Sequence, residues 1–296
     1  MNALCIPEVM HRFAEVDGLR IFYREAGPKN GVPLLLLHGF PSASHQYRRL
    51  IDALGGQHRV IAPDYPGFGH SDAPASAKAG GEYVYSFDQL ANVMERFCDI
   101  IGLDRFVLYT FDFGGPVGLR IAVRRPERIA GLIVQNSNAY EEGLSTMARD
   151  FIGLRREQPG AEDQVRSILT LNFTREQYVG GAERVERVAP DGWTLDQYFL
   201  DLPGRKEIQV DLAFDYHTNL AQYPQWQTWL RKAQPQTLIV WGTNDPFFTP
   251  DGARAYLRDV PTAELHFFNT GHFALEDKLP EIADKVLEFM IRIQAK

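Results

Sequence analysis

Cysteine is scarce in this chain: its 296 residues include two, Cys5 and Cys98. Two thiols so far apart make no disulfide framework, which argues against a stapled secreted fold and fits a reducing cytoplasm. Long apolar runs are missing too. The longest, Val32–Leu37, falls far short of the ~20 residues that span a bilayer, so no membrane insertion is expected. The opening residues, Met-Asn-Ala-Leu-Cys-Ile-Pro-Glu, have no basic stretch followed by an apolar one, and no signal peptide is expected. Positive charge is in deficit, with a net charge of -7 and no clustered Lys/Arg stripe, which argues against nucleic acid. No His-Glu-x-x-His, Cys pair or Gly-rich phosphate loop occurs, so neither a metal nor a nucleotide cofactor is implied.

What is present is an ordinary globular composition, 45% hydrophobic and 23% charged, long enough for one large domain or a core with an insertion. Residues 11–26 alternate around Asp17-Gly18, a hairpin signal. Pro33–Leu37 is a continuous apolar run, as in a strand buried on both faces, and His58–Pro63 reads as the next strand. Phe87–Gly102 sets Leu90, Val93, Met94, Phe97 and Ile101 at helical spacing, with Gly102 as the stop. A strand over Arg105–Thr110 leads through a small-residue turn into a helix over Pro116–Val123. Ile129–Gln135 is another strand. Strands alternating with helices imply a parallel sheet covered on both faces. From Ser137 to Gln234 the strand runs give way to helical segments rich in Tyr, Trp and Gln. Thr237–Trp241 and Ala263–Phe268 then restore strands, and Lys278–Ile293 closes with an amphipathic helix. These patterns predict an α/β core from residues 1–136 and 235–296, interrupted by a helical insertion over 137–234.

The chemistry centres on Asp112. Within Val107-Leu-Tyr-Thr-Phe-Asp-Phe-Gly-Gly115 it stands at the tip of a strand–turn–helix bend, the place that holds a serine in Gly-x-Ser-x-Gly elbows. A serine there points to acyl transfer. An ionised carboxylate points instead to displacement at a saturated carbon, since it attacks without a base. Taken singly, Asp112 also suits a helix N-cap, and Asp245 a turn before Pro246. Three further segments begin where a strand gives way to a loop, the edge where open α/β sheets place ligands. They are His38-Gly39-Phe40-Pro41, Gly242-Thr243-Asn244-Asp245-Pro246 and Gly271-His272-Phe273. Gly69-His70-Ser71-Asp72-Ala73 mimics a serine elbow, but no helix follows it and it reads as a turn.

In this order the residues resemble the α/β-hydrolase superfamily, and the likeness runs from the hairpin to the last helix, including Asp64-Tyr-Pro-Gly-Phe-Gly-His-Ser71-Asp72. The resemblance implies an α/β-hydrolase fold, a mostly parallel sheet flanked by helices, with 137–234 as a helical cap. It implies Asp112 as nucleophile, Asp245 as orienting acid, His272 as base, and the N–H groups of Phe40 and Phe113 as oxyanion hole. Asp at the elbow with His-Gly-x-Pro looks most like epoxide hydrolases and haloalkane dehalogenases. The first branch typically protonates its leaving alkoxide from two cap tyrosines. The second typically holds its halide with a Trp after the nucleophile plus an Asn or second Trp. Phe113 and Phe40 stand at those dehalogenase positions without side-chain donors, which favours epoxide opening; many epoxide hydrolases also carry Trp where Phe113 stands.

The segment Phe214-Asp-Tyr-His-Thr-Asn219 is similar to the stretch that supplies a ring-opening tyrosine. It makes Tyr216 the leaving-group acid, or His217 with the register moved by one, with Tyr140 as a second candidate. Phe40, Phe113 and Trp193 are expected to line an apolar pocket between core and cap. Trp193, Trp226 and Trp229 are alternative halide donors, which keeps a dehalogenase open. A small apolar organic substrate and water are the expected partners, without cofactor or metal, and a homodimer stays open. The rival from another class is a non-catalytic binder on the same scaffold.

Overall fold

Asp17 and Gly18 both take positive φ, 48° and 82°, the geometry of a two-residue hairpin turn. β1 (Val9–Val16) therefore folds back on β2 (Leu19–Ala26), with Val16 opposite Leu19. The computed structural model describes residues 7–295, so Cys5 lies outside the described residues, while Cys98 is buried and unpaired. The apolar runs become β3 (Leu34–Leu37), β4 (Val60–Pro63), β5 (Phe106–Phe111), β6 (Ile129–Gln135), β7 (Thr237–Gly242) and β8 (Glu264–Phe268). Every residue of β3, β4, β5 and β7 is buried, as expected where helices cover both faces.

One eight-stranded sheet results, in the order β1-β2-β4-β3-β5-β6-β7-β8. β1, β2 and β4 pair antiparallel, and the rest pair parallel. The chain runs outward from β3 to β4, then returns to lay β5 on the other side of β3. That reversal leaves a crevice at the carboxyl ends of β3 and β5, the usual ligand position in such sheets.

The helices flanking the sheet are α1 (Arg48–Leu54), α2 (Phe87–Ile100) and α3 (Gly114–Arg124). Between β6 and β7 the chain forms α4 (Thr146–Ile152), α5 (Ala161–Ser167), α6 (Leu171–Val179), α7 (Pro190–Leu200), α8 (Arg205–Asp215) and α9 (His217–Ala233). α10 (Pro250–Asp259), α11 (Ala274–Asp277) and α12 (Leu279–Gln294) follow. α2 starts where the Ser86 hydroxyl accepts the Gln89 N–H at 3.1 Å, and its buried stripe includes Leu90, Val93, Met94 and Phe97.

Two differences from the sequence pattern stand out. α3 begins at Gly114, two residues before Pro116, because the bend itself is the first turn of the helix. α1 and α10 are not anticipated: α1 is seven residues long, too short for a repeating apolar stripe. Among the described residues no helix is long and apolar enough to cross a membrane.

Candidate active site

β5 ends at Phe111, and the next residue, Asp112, takes φ 48°, a conformation that costs an L side chain energy. Such strain persists only where the surroundings over-determine it. Here α3 begins two residues later, so the backbone must reverse within Asp112 and Phe113. Close packing demands glycine on both sides: a methyl at Gly39 would meet Asp112 Cβ at 2.4 Å, and one at Gly114 the Leu37 carbonyl oxygen at 2.1 Å. The Asp112 side chain is thereby held at the β3–β5 crevice, and its Oδ1 accepts the Phe40 N–H at 2.7 Å.

Phe40 follows His38, whose ring is buried between two backbone contacts. Its Nε2 accepts the Tyr65 N–H at 3.1 Å, and Nδ1 lies 3.1 Å from the Gly39 carbonyl oxygen. Burial holds the His38 pKa down to about 4, so a neutral ring pins the loop that presents the Phe40 N–H. The Phe40–Pro41 peptide is cis.

His272 comes from the loop after β8. Its Nδ1 donates to Asp245 Oδ2 at 2.7 Å, and its Nε2 lies 3.9 Å from Asp112 Oδ2. The second distance is too long for a hydrogen bond, so Nε2 is not committed to the carboxylate. Asp245, in the loop after β7, is saturated with donors. Oδ1 accepts the N–H groups of Phe247 and Phe248 at 2.8 and 3.1 Å, and Oδ2 also accepts Asn136 Nδ2 at 2.7 Å. Asn136 follows β6 with φ 40°, and its carbonyl accepts the Asp112 N–H at 3.3 Å. One residue thus braces both acids. The His272 loop also lies tight against the end of α6: a methyl at Gly271 would fall 1.8 Å from the Gly180 carbonyl oxygen.

Burial raises the Asp112 pKa, while His272 and the N–H groups of Phe40 and Phe113 pull it back, and Asp245 adds to the rise. For His272, burial is the largest single influence and favours the neutral ring. The charge and hydrogen bond of Asp245, with the charge of Asp112, together outweigh it, so the net shift is upward. The two groups hold opposite charges against each other's desolvation.

Above them lies a cavity of about 140 Å³. Its walls include Phe40 and Phe113 from the core, Met147 and Ile152 from α4, Val165 from α5, and Phe247 and Phe248 after β7. Few polar groups interrupt this lining: Asp112, His272, Gln177 from α6, Gln209 from α8, and Tyr216 between α8 and α9. Gln177 Nε2 and Gln209 Oε1 are buried without hydrogen-bond partners, each at a cost of about 1–3 kcal/mol. The Tyr216 ring packs edge-on against Phe87 at 5.3 Å and tilts over Phe113 at 5.8 Å. Burial pushes its phenol well above the ordinary range, so the hydroxyl keeps its proton. Among the described residues no group of three or more His, Cys, Asp or Glu is arranged to hold a metal.

Asp112, Asp245, His272, Phe40, Phe113 and Tyr216 are therefore brought together. Five other candidates are not. Tyr140 turns under α10 and donates its hydroxyl to Asp259 Oδ2 at 2.7 Å, outside the cavity lining. Its position just past a strand end placed it in the wrong layer. His217 bonds the Phe214 carbonyl at 2.8 Å and borders a separate surface hollow with Arg156 and Asp215, because one step along the helix rotates it away from the Tyr216 face. Trp193 packs its ring against Tyr178 at 6.1 Å, not in the lining; Trp226 and Trp229 are likewise outside it. The serine-elbow mimic is a turn in which Ser71 Oγ donates to the Asp64 carbonyl at 2.7 Å and accepts the Phe22 N–H at 2.9 Å. Asn136, Gln177 and Gln209 were missed. A polar residue closing an apolar strand at this edge was the available signal for Asn136.

Comparison with known proteins bears on the fold. The family model described as the alpha/beta hydrolase fold matches residues 32–279. The chain is 40% identical over 295 residues to a haloalkane dehalogenase of Psychrobacter cryohalolentis, covering 94% of this chain and 89% of that one. It is 37% identical over 289 residues to an uncharacterized hydrolase of Saccharomyces cerevisiae, covering 94% and 95%. Among solved structures, the epoxide hydrolase CorEH superposes with a TM-score of 0.76 at 21% identity, covering 97% of this chain and 100% of that one. At that identity the likeness speaks for the fold alone.

Proposed function

The chain belongs to the alpha/beta hydrolase fold family, and from that premise we propose that it hydrolyses an epoxide to a diol through an ester on Asp112. Asp112 Oδ1 is engaged by the Phe40 N–H, which leaves Oδ2 to attack the oxirane carbon. The carbon–oxygen bond of the ring breaks, and the departing oxygen takes the proton of Tyr216. Forming the ester removes the Asp112 charge that helps keep the His272 pKa up. The imidazole thereby moves toward its neutral, proton-accepting form when a base is needed. His272 Nε2 then takes a proton from water, whose oxygen adds to the Asp112 carboxyl carbon. The negative charge lands on an oxygen facing the Phe40 and Phe113 N–H groups, with the start of α3 behind them. Collapse breaks the ester bond to the diol oxygen, which takes the proton from the His272 imidazolium. The carboxyl proton left on Asp112 returns to the Tyr216 phenolate, and Asp245 keeps the imidazole oriented through both protonation states.

The observation that carries the choice of substrate is Tyr216, a protonated phenol in the cavity lining, where the described residues include no tryptophan. An alkoxide leaving group requires a proton, whereas a halide leaves as a stable anion. A haloalkane dehalogenase is the second reading, favoured by the 40% identical relative of that name. Parallel assays of epoxides and haloalkanes, scored for diol and for free halide, separate the two. Diol without halide is expected; halide release from haloalkanes with no diol from any epoxide overturns the epoxide reading. Asp112→Asn should lower either turnover on the order of 10⁶-fold, and a variant of undiminished activity ends the ester mechanism.

A further inference from the structure

The cavity lining is apolar apart from the reacting groups and two amides, Gln177 and Gln209. Both side chains are more than nine-tenths buried, and each holds a polar atom with no partner. Neither amide belongs to the chemistry described above. An amide offers both donors and acceptors, and an apolar wall is a poor place for either unless something in the cavity completes it. Leucine or methionine at these positions would have filled the same volume without that penalty.

The helices bring both residues into the cavity lining. Gln209, Ala213 and Tyr216 fall on one face of α8 and its cap, and all three line the cavity, so Gln209 stands seven residues before the proton donor. At 1.5 Å per residue that is about 10 Å along the wall. On α6, Phe173 and Gln177 repeat the pattern one turn apart, and Phe173 packs toward Phe247 at 6.2 Å.

We propose that Gln177 and Gln209 form a polar subsite for a neutral hydrogen-bonding group on the substrate, distinct from the group that reacts. The substrate is then an alkyl chain bearing a hydroxyl, ether or carbonyl oxygen rather than a plain hydrocarbon; which group counts as reacting rests on the function proposed above. Neutrality follows from the lining, which among the described residues contains no Lys or Arg and whose charged members are Asp112 and His272 themselves. A carboxylate or ammonium on the substrate would find a partner only in the catalytic groups. Sites built to bind a polar group reject analogues lacking it, because their own buried polar atoms are then left unpaired.

The test separates binding from chemistry. Asp112→Asn protein, which cannot form the ester, is titrated calorimetrically with epoxyoctane and with isosteres in which one methylene is an ether oxygen, walked along the chain. At least one isostere should bind about tenfold tighter than epoxyoctane, the gain of roughly one buried hydrogen bond. That preference should vanish when Gln177→Met and Gln209→Met are added. If the double variant fails to fold, Gln209→Met alone carries the comparison. Equal affinity for all probes overturns the subsite even if the wild-type protein makes diols. A preference for ether retained in the Met variants overturns it too. Bromide that competes with epoxyoctane only while the glutamines are intact reassigns the amides to a leaving halide. An ether preference without diol from any epoxide leaves the subsite standing and refutes the reaction instead.

Discussion

The carboxyl edge of the sheet and the helices that roof it treat polar groups in opposite ways. On the sheet the candidate catalytic groups are braced. Asp245 accepts four hydrogen bonds, Asn136 links β6 to both acids, and the neutral His38 ring fixes the loop bearing the Phe40 N–H. On the roof, Gln177 and Gln209 keep buried atoms without partners among otherwise greasy walls. Under the function proposed above, the rigid floor sets what bond is made, and the open valences of the roof set what molecule is admitted.

That contrast can be broken at the floor first. His272→Gln should slow ester hydrolysis roughly 10⁴-fold while leaving Asp112 able to attack. Mass spectrometry of the variant after incubation with epoxide should find protein heavier by one substrate; unmodified protein that still turns over counts against the covalent route. Tyr216→Phe, at the roof, should slow ring opening about 10²-fold and spare hydrolysis of an ester already formed. Rapid-quench kinetics distinguishes these half-reactions, and an equal loss in both moves the proton donor elsewhere.

Asn136→Leu should cost about tenfold in kcat, since it strips one of the four bonds from Asp245 without touching substrate. An unchanged kcat would mean that the remaining three donors suffice. The smallest effect is electrostatic. The His272 pKa is raised above its usual 6.5 partly by the Asp112 charge. The imidazolium should therefore persist above pH 6.5 in the native protein and give way at lower pH in Asp112→Asn, as read by imidazole resonances in an NMR titration. An unchanged or higher value in the variant would mean that the Asp112 charge does not help hold the proton on that ring.

The floor was legible in the sequence because its signals are local. β5, its turn and Gly114-Gly115 are contiguous, and the loops of Phe40, Asp245 and His272 each follow an apolar run that reads as a strand. The roof was not. Its helices have weakly sided sequences, and which side faces the cavity depends on rotation during packing, not on the residues alone. Tyr216 and His217 illustrate this: neighbours in the chain, they face different hollows. Tyr140 and Trp193 carried the right functional groups for a donor role yet were consumed by packing, while nothing local in the sequence marks Gln177 and Gln209 as cavity residues.

The contact between Gly180 and Gly271 sets the terms on which this molecule can be remodelled. Even a methyl group has no room there, so an alanine at 271 would pry α6 from the loop that carries the imidazole. Enlarging the chamber from that side would therefore dismantle the machinery with it. Room for bulkier compounds has to come from the far panels, at Ile152 and Val165, where trimming a side chain alters capacity and leaves the moving parts aligned.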